Sequence, residues 1–338
     1  ATMKVTVVGL GAIGGFVAAR LVAAGHEVQA LARGATLAAV RERGLALTGH
    51  DGSTTTHALA ASDRAGELAP ADLVVIALKG PGLVASVDAI APLVAHRPLV
   101  LPLMNGVPWW FLRGAPLHDA RPLASVDPGG RIAAAIALDD VLGGVVHVSC
   151  SAPAPGRVQH HAGRRLIVGE PFGGTSDRVR RVAALLEGAG FDVEASADVR
   201  RDVWYKLWGN MTMNPVSALT GATCDRILDD ELVRAFMASA MDEAAAIGAR
   251  IGCPIEQGAD ERMALTRQLG AFRTSMLQDA EAGRALELDA LVAAVREIGQ
   301  RVGVATPNVD ALLGLTRLMA ATRGLLPPAP QGGPGAPA

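Results

Sequence analysis

The stretch Lys4-Val-Thr-Val-Val-Gly9-Leu-Gly-Ala-Ile-Gly14 decides the fold of this chain. Its first five residues are rich in β-branched side chains and predict a strand over residues 4–8. Apolar residues at helical spacing follow over 14–24, and residues 27–31 again have the composition of a strand. A strand, a helix and a second strand within about thirty residues form the first unit of a parallel sheet.

The three glycines of this stretch, Gly9, Gly11 and Gly14, have the spacing of a dinucleotide-binding turn. The first glycine allows a tight turn, the second lets the backbone approach a pyrophosphate, and the third lets the helix pack on the strand. The N–H groups at the start of the helix then favour the phosphates. We therefore predict that the cofactor-binding turn consists of Gly9, Leu10, Gly11, Ala12, Ile13 and Gly14.

The end of the second strand indicates which dinucleotide is bound. An NAD site usually has an acidic residue there that bonds the ribose 2′-hydroxyl. This chain instead has Ala-Leu-Ala-Arg33-Gly, without a carboxylate. A guanidinium can bind a 2′-phosphate with two parallel hydrogen bonds. Arg33 therefore predicts NADPH/NADP+ as the cofactor.

The rest of the chain divides into a mixed part and a helical part. Strands are predicted at 72–78, 98–103 and 191–193, helices at 83–93 and 179–189, and short antiparallel strands, appended to the first sheet, within 123–168. Beyond residue 198, helical spacing dominates, notably at 228–248, 260–271 and 286–302. The predicted fold is α/β, an N-terminal Rossmann-type doubly wound sheet with appended antiparallel strands, followed by an all-α C-terminal domain.

These patterns predict three segments. Residues 1–195 form the nucleotide-binding domain, and residues 196–325 form the helical domain that holds substrate and catalytic groups. Residues 326–338 are rich in Pro, Gly and Ala, cannot bury a core, and are expected to be a disordered tail.

A polar stripe interrupts an apolar run in the second half. Lys206, Asn210 and Asn214 recur every fourth residue, so a helix places them on one face, one turn apart. Flanking apolar residues indicate that this face lines a buried cleft rather than meeting bulk solvent. Pro215 disfavours helical geometry at the residue before it, so we expect the helix to kink or stop there.

Two polar residues follow predicted strands of the first half. Lys79 and Asn105 each come after a buried strand, at the carboxyl edge where such sheets bind ligands. A solvated lysine and an ordinary Asn-Gly turn are the alternative interpretations. The adjacent aromatic run that begins with Trp109 and Trp110 either fills the core or lines the pocket.

Composition excludes several classes of function. The formal net charge is −2, aromatic residues make up 3% of the chain, and neither dense basic clusters nor a long apolar run occurs. We therefore expect no nucleic-acid partner and no membrane partner. Three widely spaced cysteines indicate a reducing, cytoplasmic compartment, and the chain shows no metal-ligand spacing.

Together these residues resemble the ketopantoate reductase (2-dehydropantoate 2-reductase) family. The resemblance covers residues 4–318 and includes the glycine turn, Arg33, the strand-end Lys79 and Asn105-Gly106. More specific are the Lys206/Asn210/Asn214-Pro215 stripe, Ser275-Met-Leu-Gln-Asp279 and Glu287-Leu-Asp289.

The resemblance implies that NADPH and a small 2-keto acid bind in a cleft between the two domains. By motif position, Lys206 is the catalytic acid with Glu287 beside it, and substrate is bound by Asn210, Asn214, Ser275 and Asn105. Lys79 and Asn105 would lie near the nicotinamide and the reacting group, and the protein could form a homodimer.

Two departures from the family pattern concern the substrate. Val292-Ala293 stands where the family usually has Asn-Gly, and Trp109-Trp110 is heavier than expected. A paralogue that reduces a bulkier 2-keto acid or an imine is therefore the alternative enzyme. A non-catalytic NADPH sensor is the alternative outside the enzymes, although a sensor does not need a proton donor such as Lys206.

Overall fold

The computed structural model describes residues 2–328 of the chain. They form two compact units, the first comprising residues 2–115, 120–122 and 129–203, and the second residues 116–119, 123–128 and 204–328. The predicted domain ranges 1–195 and 196–325 stay predictions. Most of the predicted tail, 326–338, lies outside the described residues.

The strands all belong to the first unit. They are β1 (Lys4–Val8), β2 (Glu27–Leu31), β3 (Leu45–Thr48), β4 (Thr54–His57), β5 (Ala60–Ser62), β6 (Leu73–Ile76), β7 (Leu99–Pro102), β8 (Gly143–Ala154), β9 (Arg157–Gly169) and β10 (Asp192–Ser196).

The α-helices occur in both units. They are α1 (Ala12–Ala23), α2 (Gly34–Arg43), α3 (Gly80–Val94), α4 (Arg131–Ala135), α5 (Asp177–Gly188), α6 (Val199–Thr220), α7 (Cys224–Asp229), α8 (Glu231–Arg250), α9 (Ala259–Arg267), α10 (Ser275–Glu281), α11 (Ala294–Val302) and α12 (Pro307–Thr322).

The first sheet is parallel and has the order β5-β2-β1-β6-β7. Strand β1 pairs with β2 on one side and with β6 on the other, so the turn after β1 lies at the centre of the carboxyl edge. Apart from the first residues of β1 and β2, strands β1, β2 and β6 are buried, which explains their nearly continuous apolar sequences. The predicted α/β fold, with its strand-helix-strand beginning, is confirmed.

The antiparallel strands lie in a second sheet instead of extending the first. Its order is β10-β9-β3-β4, and β8 pairs with β9 as a long hairpin. The sequence prediction broke this region into short pieces because its glycines and prolines look like repeated turns. Two long strands nevertheless form, with irregular register between His147 and Ala154, and residues 123–142 contain short helical turns instead of strands.

Helices make up the second unit, as predicted. Two buried indole N–H groups join α6 to α8: Trp204 Nε1 donates to the carbonyl oxygen of Ala244 at 3.2 Å, and Trp208 Nε1 donates to that of Met241 at 2.8 Å. Gly248 on α8 lets these helices approach, since a Cβ atom there would lie 2.5 Å from Trp204 Nε1. These contacts fix the helix that carries the polar stripe.

Helix α6 does not stop at Pro215, which corrects one of the two expected outcomes. It continues to Thr220, with Pro215 inside it and residues 211–218 buried. A proline removes one backbone donor, and tertiary packing of a buried segment can outweigh that loss. The carbonyl that loses its helical partner is that of Met211, four residues before Pro215. Ser217 Oγ donates a 2.7 Å hydrogen bond to the carbonyl oxygen of Asn214, within the same buried segment.

Within residues 2–328, no helix combines the length and the apolar character needed to cross a bilayer.

Candidate active site

The glycine turn has the geometry that a dinucleotide needs. Gly9 has a φ of +91°, and a Cβ atom on it would lie 2.7 Å from the carbonyl oxygen of Ala77. A Cβ atom on Gly14 would lie 1.8 Å from the carbonyl oxygen of Gly9. A Cβ atom on Gly11 would meet nothing within 4 Å, so this glycine faces open space. The first and third glycines are thus required by packing, and the second leaves room for a pyrophosphate.

A cleft of about 280 Å³ adjoins this turn within the first unit. Its lining includes Gly9, Leu10, Gly11 and Arg33, so four of the predicted cofactor residues come together. Ala12, Ile13, Gly14, Lys79 and Asn105 are outside the lining of this cleft. The donor set and the glycine turn fit a phosphate-bearing nucleotide.

Sequence reasoning missed three polar residues that also line the cleft: Thr36, Asp63 and Ser86. Thr36 could have been found, because α2 begins directly after Arg33 and Thr36 is in its first turn. Asp63 follows the short strand β5, which the sequence did not reveal. Ser86 lies within α3, where it has no distinguishing pattern.

Lys79 and Asn105 lie at the same edge of the first sheet. Strands β6 and β7 are parallel neighbours, with Ile76 opposite Pro102. Lys79 comes three residues after Ile76, and Asn105 comes three residues after Pro102. Lys79 is exposed and precedes the first residue of α3, and Asn105 is partly buried. The predicted placement of both residues at the carboxyl edge therefore holds, although their roles stay predictions.

The two tryptophans belong to the interior of the first unit. Trp109 is 6% exposed and Trp110 is 1% exposed. A Cβ atom on Gly143 would lie 3.0 Å from the Trp110 ring, so this strand residue leaves space for the indole. The core interpretation of this aromatic run is the better one, and its bulk gives no argument for a larger substrate.

The polar stripe forms on α6 as predicted. Lys206 and Asn210 are partly buried and Asn214 is buried, at successive turns of one helix. Burial lowers the pKa of Lys206 from 10.5 to about 8. The effect arises because an ammonium group loses hydration when water is excluded. The lysine is therefore still mostly protonated near neutral pH but is a much better proton donor than an exposed lysine.

A buried chain of hydroxyl groups joins the stripe to Ser275. Ser217 Oγ lies 2.6 Å from Thr274 Oγ1 and also donates to the carbonyl oxygen of Asn214. Thr274 in turn caps α10, because its Oγ1 accepts from Leu277 N at 3.1 Å. Ser275 is the first residue of α10, so this chain couples its position to Asn214.

Glu287 is the first residue of the Glu287-Leu-Asp289 motif. It is partly buried and is followed by Leu288 and a π-helical turn over Asp289–Ala293, which leads into α11. Single π turns inside helices are frequent at functional sites. Val292, one of the two departures from the family pattern, is fully buried in this turn.

Metal-binding clusters are not found in the described part of the chain, where no three His, Cys, Asp or Glu side chains are grouped suitably. The three cysteines form no disulfide there.

Comparison with known proteins gives a consistent result. Residues 5–172 match the family described as ketopantoate reductase PanE/ApbA, and residues 198–320 match its C-terminal family. A protein of Mesorhizobium japonicum named 2-dehydropantoate 2-reductase is 43% identical over 325 residues, which cover 95% of this chain and 99% of that protein.

Solved structures agree. One from Ralstonia solanacearum MolK2, provisionally described as a ketopantoate reductase, has a TM-score of 0.92 and 55% identity, covering 96% of this chain and 100% of that one. The 2-dehydropantoate 2-reductase of Methylococcus capsulatus has a TM-score of 0.80 and 28% identity, covering 95% and 97%.

The nucleotide-binding sheet and the helical unit with its lysine stripe define a nicotinamide-dependent oxidoreductase. The chain belongs to the ketopantoate reductase family.

Proposed function

We propose that the protein reduces 2-dehydropantoate to pantoate with NADPH. The observation that carries this proposal is the α6 face, where Lys206, with its pKa of about 8, is followed at one-turn intervals by two carboxamides. The curated relative from Mesorhizobium japonicum supports the substrate by its name.

The residues suit the reduction of a ketone to an alcohol. Bound NADPH would supply the hydride to the carbonyl carbon. Lys206 Nζ would stabilise the negative charge that develops on the carbonyl oxygen and give that oxygen its proton, yielding a 2-hydroxy acid. Glu287 is proposed to lie beside the lysine and to assist its proton transfer.

Neutral donors would hold the rest of the substrate. The amides of Asn210 and Asn214 and the hydroxyl of Ser275 are neutral groups that can donate hydrogen bonds to oxygen atoms of the substrate. Asn105 is proposed to contact both substrate and cofactor near the reacting group. Lys79 is proposed to contact the cofactor. Both residues follow strands at the carboxyl edge of the first sheet.

NADPH rather than NADH is proposed because of Arg33. Its side chain lines the cleft next to the glycine turn, and Thr36 adds a hydroxyl in the first turn of the following helix. A guanidinium binds a phosphate dianion well, whereas it has no comparable partner on an unmodified ribose.

The test is the oxidation of NADPH, followed by absorbance, with ketopantoate, bulkier 2-keto acids and cyclic imines as substrates. We expect the highest kcat/KM for ketopantoate. A higher kcat/KM for a bulkier keto acid or for an imine would favour the paralogue alternative. NADPH binding without turnover of any of these compounds would favour a sensor and contradict the proposal.

A further inference from the structure

Arg262 on α9 lies against the helix that carries the lysine stripe. A Cβ atom on Gly209 of α6 would lie 2.3 Å from Nη2 of Arg262, 2.6 Å from its Cζ and 3.0 Å from its Nε. No side chain larger than hydrogen can therefore stand at Gly209 while the guanidinium keeps this place. The glycine, which costs helix stability, is explained by the close approach of the arginine.

The guanidinium is only partly satisfied by the protein. Arg262 Nη1 donates to Thr266 Oγ1 at 2.9 Å, and the guanidinium carbon lies 5.4 Å from the centre of the Tyr205 ring. Tyr205 is itself held by a 2.7 Å hydrogen bond from its hydroxyl to Gln257 Oε1. The Nε atom of Arg262 is buried without a hydrogen-bond partner.

No ion pair joins Arg262 to a carboxylate among residues 2–328, and its Nη2 makes no hydrogen bond there. A buried donor without a hydrogen-bond partner costs free energy, and Nε of Arg262 is such a donor. Arg262 remains half-buried rather than fully covered, so a ligand can reach it. An anionic ligand with an acceptor oxygen at Nε would complete the hydrogen bonding of this guanidinium.

The position of Gly209 places this cation next to the Lys206 turn of α6. Lys206 and Gly209 are three residues apart on α6, so their Cβ positions are neighbours on the helix surface, about 5–6 Å apart. The guanidinium at Gly209 therefore flanks the stripe on the side of Lys206. The Cβ position of Gly209, which lies close to Nη2 of Arg262, is thus next to that of Lys206 on α6.

We propose that Arg262 binds the carboxylate of the 2-keto acid while Lys206 donates a hydrogen bond to the ketone oxygen. This assignment rests on the proposed function. In a 2-keto acid the carboxylate is bonded directly to the carbonyl carbon. Two neighbouring cations can therefore bind the carboxylate and the ketone oxygen at the same time. Asn210, Asn214 and Ser275 are then left for the remaining polar groups of the substrate. Arg262 thereby selects keto acids over neutral ketones.

The test compares charged and neutral substrates in Arg262→Gln. Steady-state kinetics are measured with ketopantoate and with its methyl ester, and inhibition constants with pantoate and with its neutral lactone. Losing a hydrogen bond to a charged group corresponds to roughly a 10- to 150-fold effect. We expect KM for the acid and the inhibition constant of pantoate to rise by such a factor, with kcat changed less, and the values for ester and lactone to change less than about threefold.

Three further variants make the result specific. Gly209→Ala introduces a methyl group at the place of Nη2 and should raise KM for the acid in the same direction, while alanine favours the helix. Arg262→Lys keeps the charge and should recover part of the affinity for the acid. Arg267→Gln, an exposed arginine on the same helix that pairs with Asp229, is the control and should change no constant more than about twofold.

Equal effects of Arg262→Gln on acid and ester, or no effect on either, would overturn the assignment of Arg262 and leave the proposed function intact. A wild-type protein that reduces no 2-keto acid would overturn the proposed function and this assignment together.

Discussion

Gly14 lies so close to Gly9 that a Cβ atom on it would stand 1.8 Å from the carbonyl oxygen of Gly9. The helix after the glycine turn can pack on the sheet only because Gly14 has no side chain. Gly11, between them, would accept a Cβ atom without any contact inside 4 Å. The same turn thus contains two glycines needed for folding, Gly9 and Gly14, and one, Gly11, that leaves room for a ligand.

Alanine substitutions should separate these two roles. We expect Gly14→Ala to lower the Tm of the protein without cofactor, because the turn must open to admit the methyl group. Gly11→Ala should leave that Tm nearly unchanged, since the backbone of Gly11 has a φ of −75° that alanine adopts readily. It should nevertheless weaken NADPH binding by about tenfold or more, because the methyl group enters the space for the pyrophosphate. Thermal unfolding with and without NADPH measures both, and a Gly11→Ala protein with unchanged affinity would show that the pyrophosphate binds elsewhere.

Arg33→Ala should change the choice of cofactor. Losing a charge-assisted hydrogen bond of about 1.5–3 kcal/mol should raise the Kd for NADPH roughly 10- to 150-fold. The Kd for NADH should change little, because NADH has no 2′-phosphate. Arg43→Ala, at the exposed far end of the same helix, is the matched control. Equal weakening of both cofactors by Arg33→Ala would mean that this arginine does not recognise the phosphate.

The pH dependence of the reaction should report the pKa of Lys206. A lysine that gives a proton to the substrate must be protonated, and its pKa is about 8. We expect kcat/KM for ketone reduction to be nearly constant below that value and to fall up to tenfold per pH unit above it. Rate measurements between pH 6 and about 10 with saturating NADPH test this, with Tm recorded at each pH as a control. A profile that stays flat up to pH 9.5 is incompatible with a proton donor of this pKa.

Removing the charge of Lys206 should stabilise the protein while it abolishes activity. In the unfolded chain the lysine has its ordinary pKa of 10.5, and in the folded protein the value is about 8. Below about pH 8 both states carry the charge, so the full cost of burying it is present, and between the two pKa values this cost decreases as pH rises. Lys206→Met should therefore raise the Tm at pH 7 by about 2 °C or more, and less at pH 9.5. A lower Tm for Lys206→Met at pH 7 would mean that the lysine contributes contacts that outweigh its desolvation.

The hydroxyl chain behind the site should control how well Ser275 is placed. Thr274→Val removes the hydroxyl that caps α10 and contacts Ser217, so we expect a loss of about 1 kcal/mol in stability and a severalfold higher KM for the keto acid. Thr274→Ser keeps the oxygen and should recover both. Chemical unfolding and steady-state kinetics give the two values. If Thr274→Val lowers stability but leaves KM unchanged, Ser275 does not depend on this chain.

Much of the first unit was predictable because its signals are local. The glycine turn, the flanking strands and Arg33 lie within about thirty residues, and short-range periodicity specifies them. The α6 stripe was predictable for the same reason. The helix continues through Pro215 because residues far away in sequence bury this segment, and a local rule for proline does not include that packing.

Contacts between distant residues account for what the sequence did not reveal. Asp63 joins the nucleotide cleft only because a three-residue strand brings it to the sheet edge. Arg262 had no signal at all, since its relation to Gly209 depends on how α9 packs on α6. The burial of Trp110 depends on Gly143, a distant strand residue that leaves space for its indole, so no local pattern could assign it to the core.

The most direct test of the central claim is single-turnover reduction of ketopantoate by NADPH-loaded Lys206→Ala. We expect the rate constant to fall by roughly 10²–10⁴, the usual contribution of a positioned proton donor, while the Kd for NADPH stays within about twofold of the wild type. Lys4→Ala, which removes a partly buried lysine paired with Glu27 at the start of β1, is the control and should leave the rate unchanged. A Lys206→Ala rate within about tenfold of the wild type would contradict the claim that Lys206 protonates the substrate.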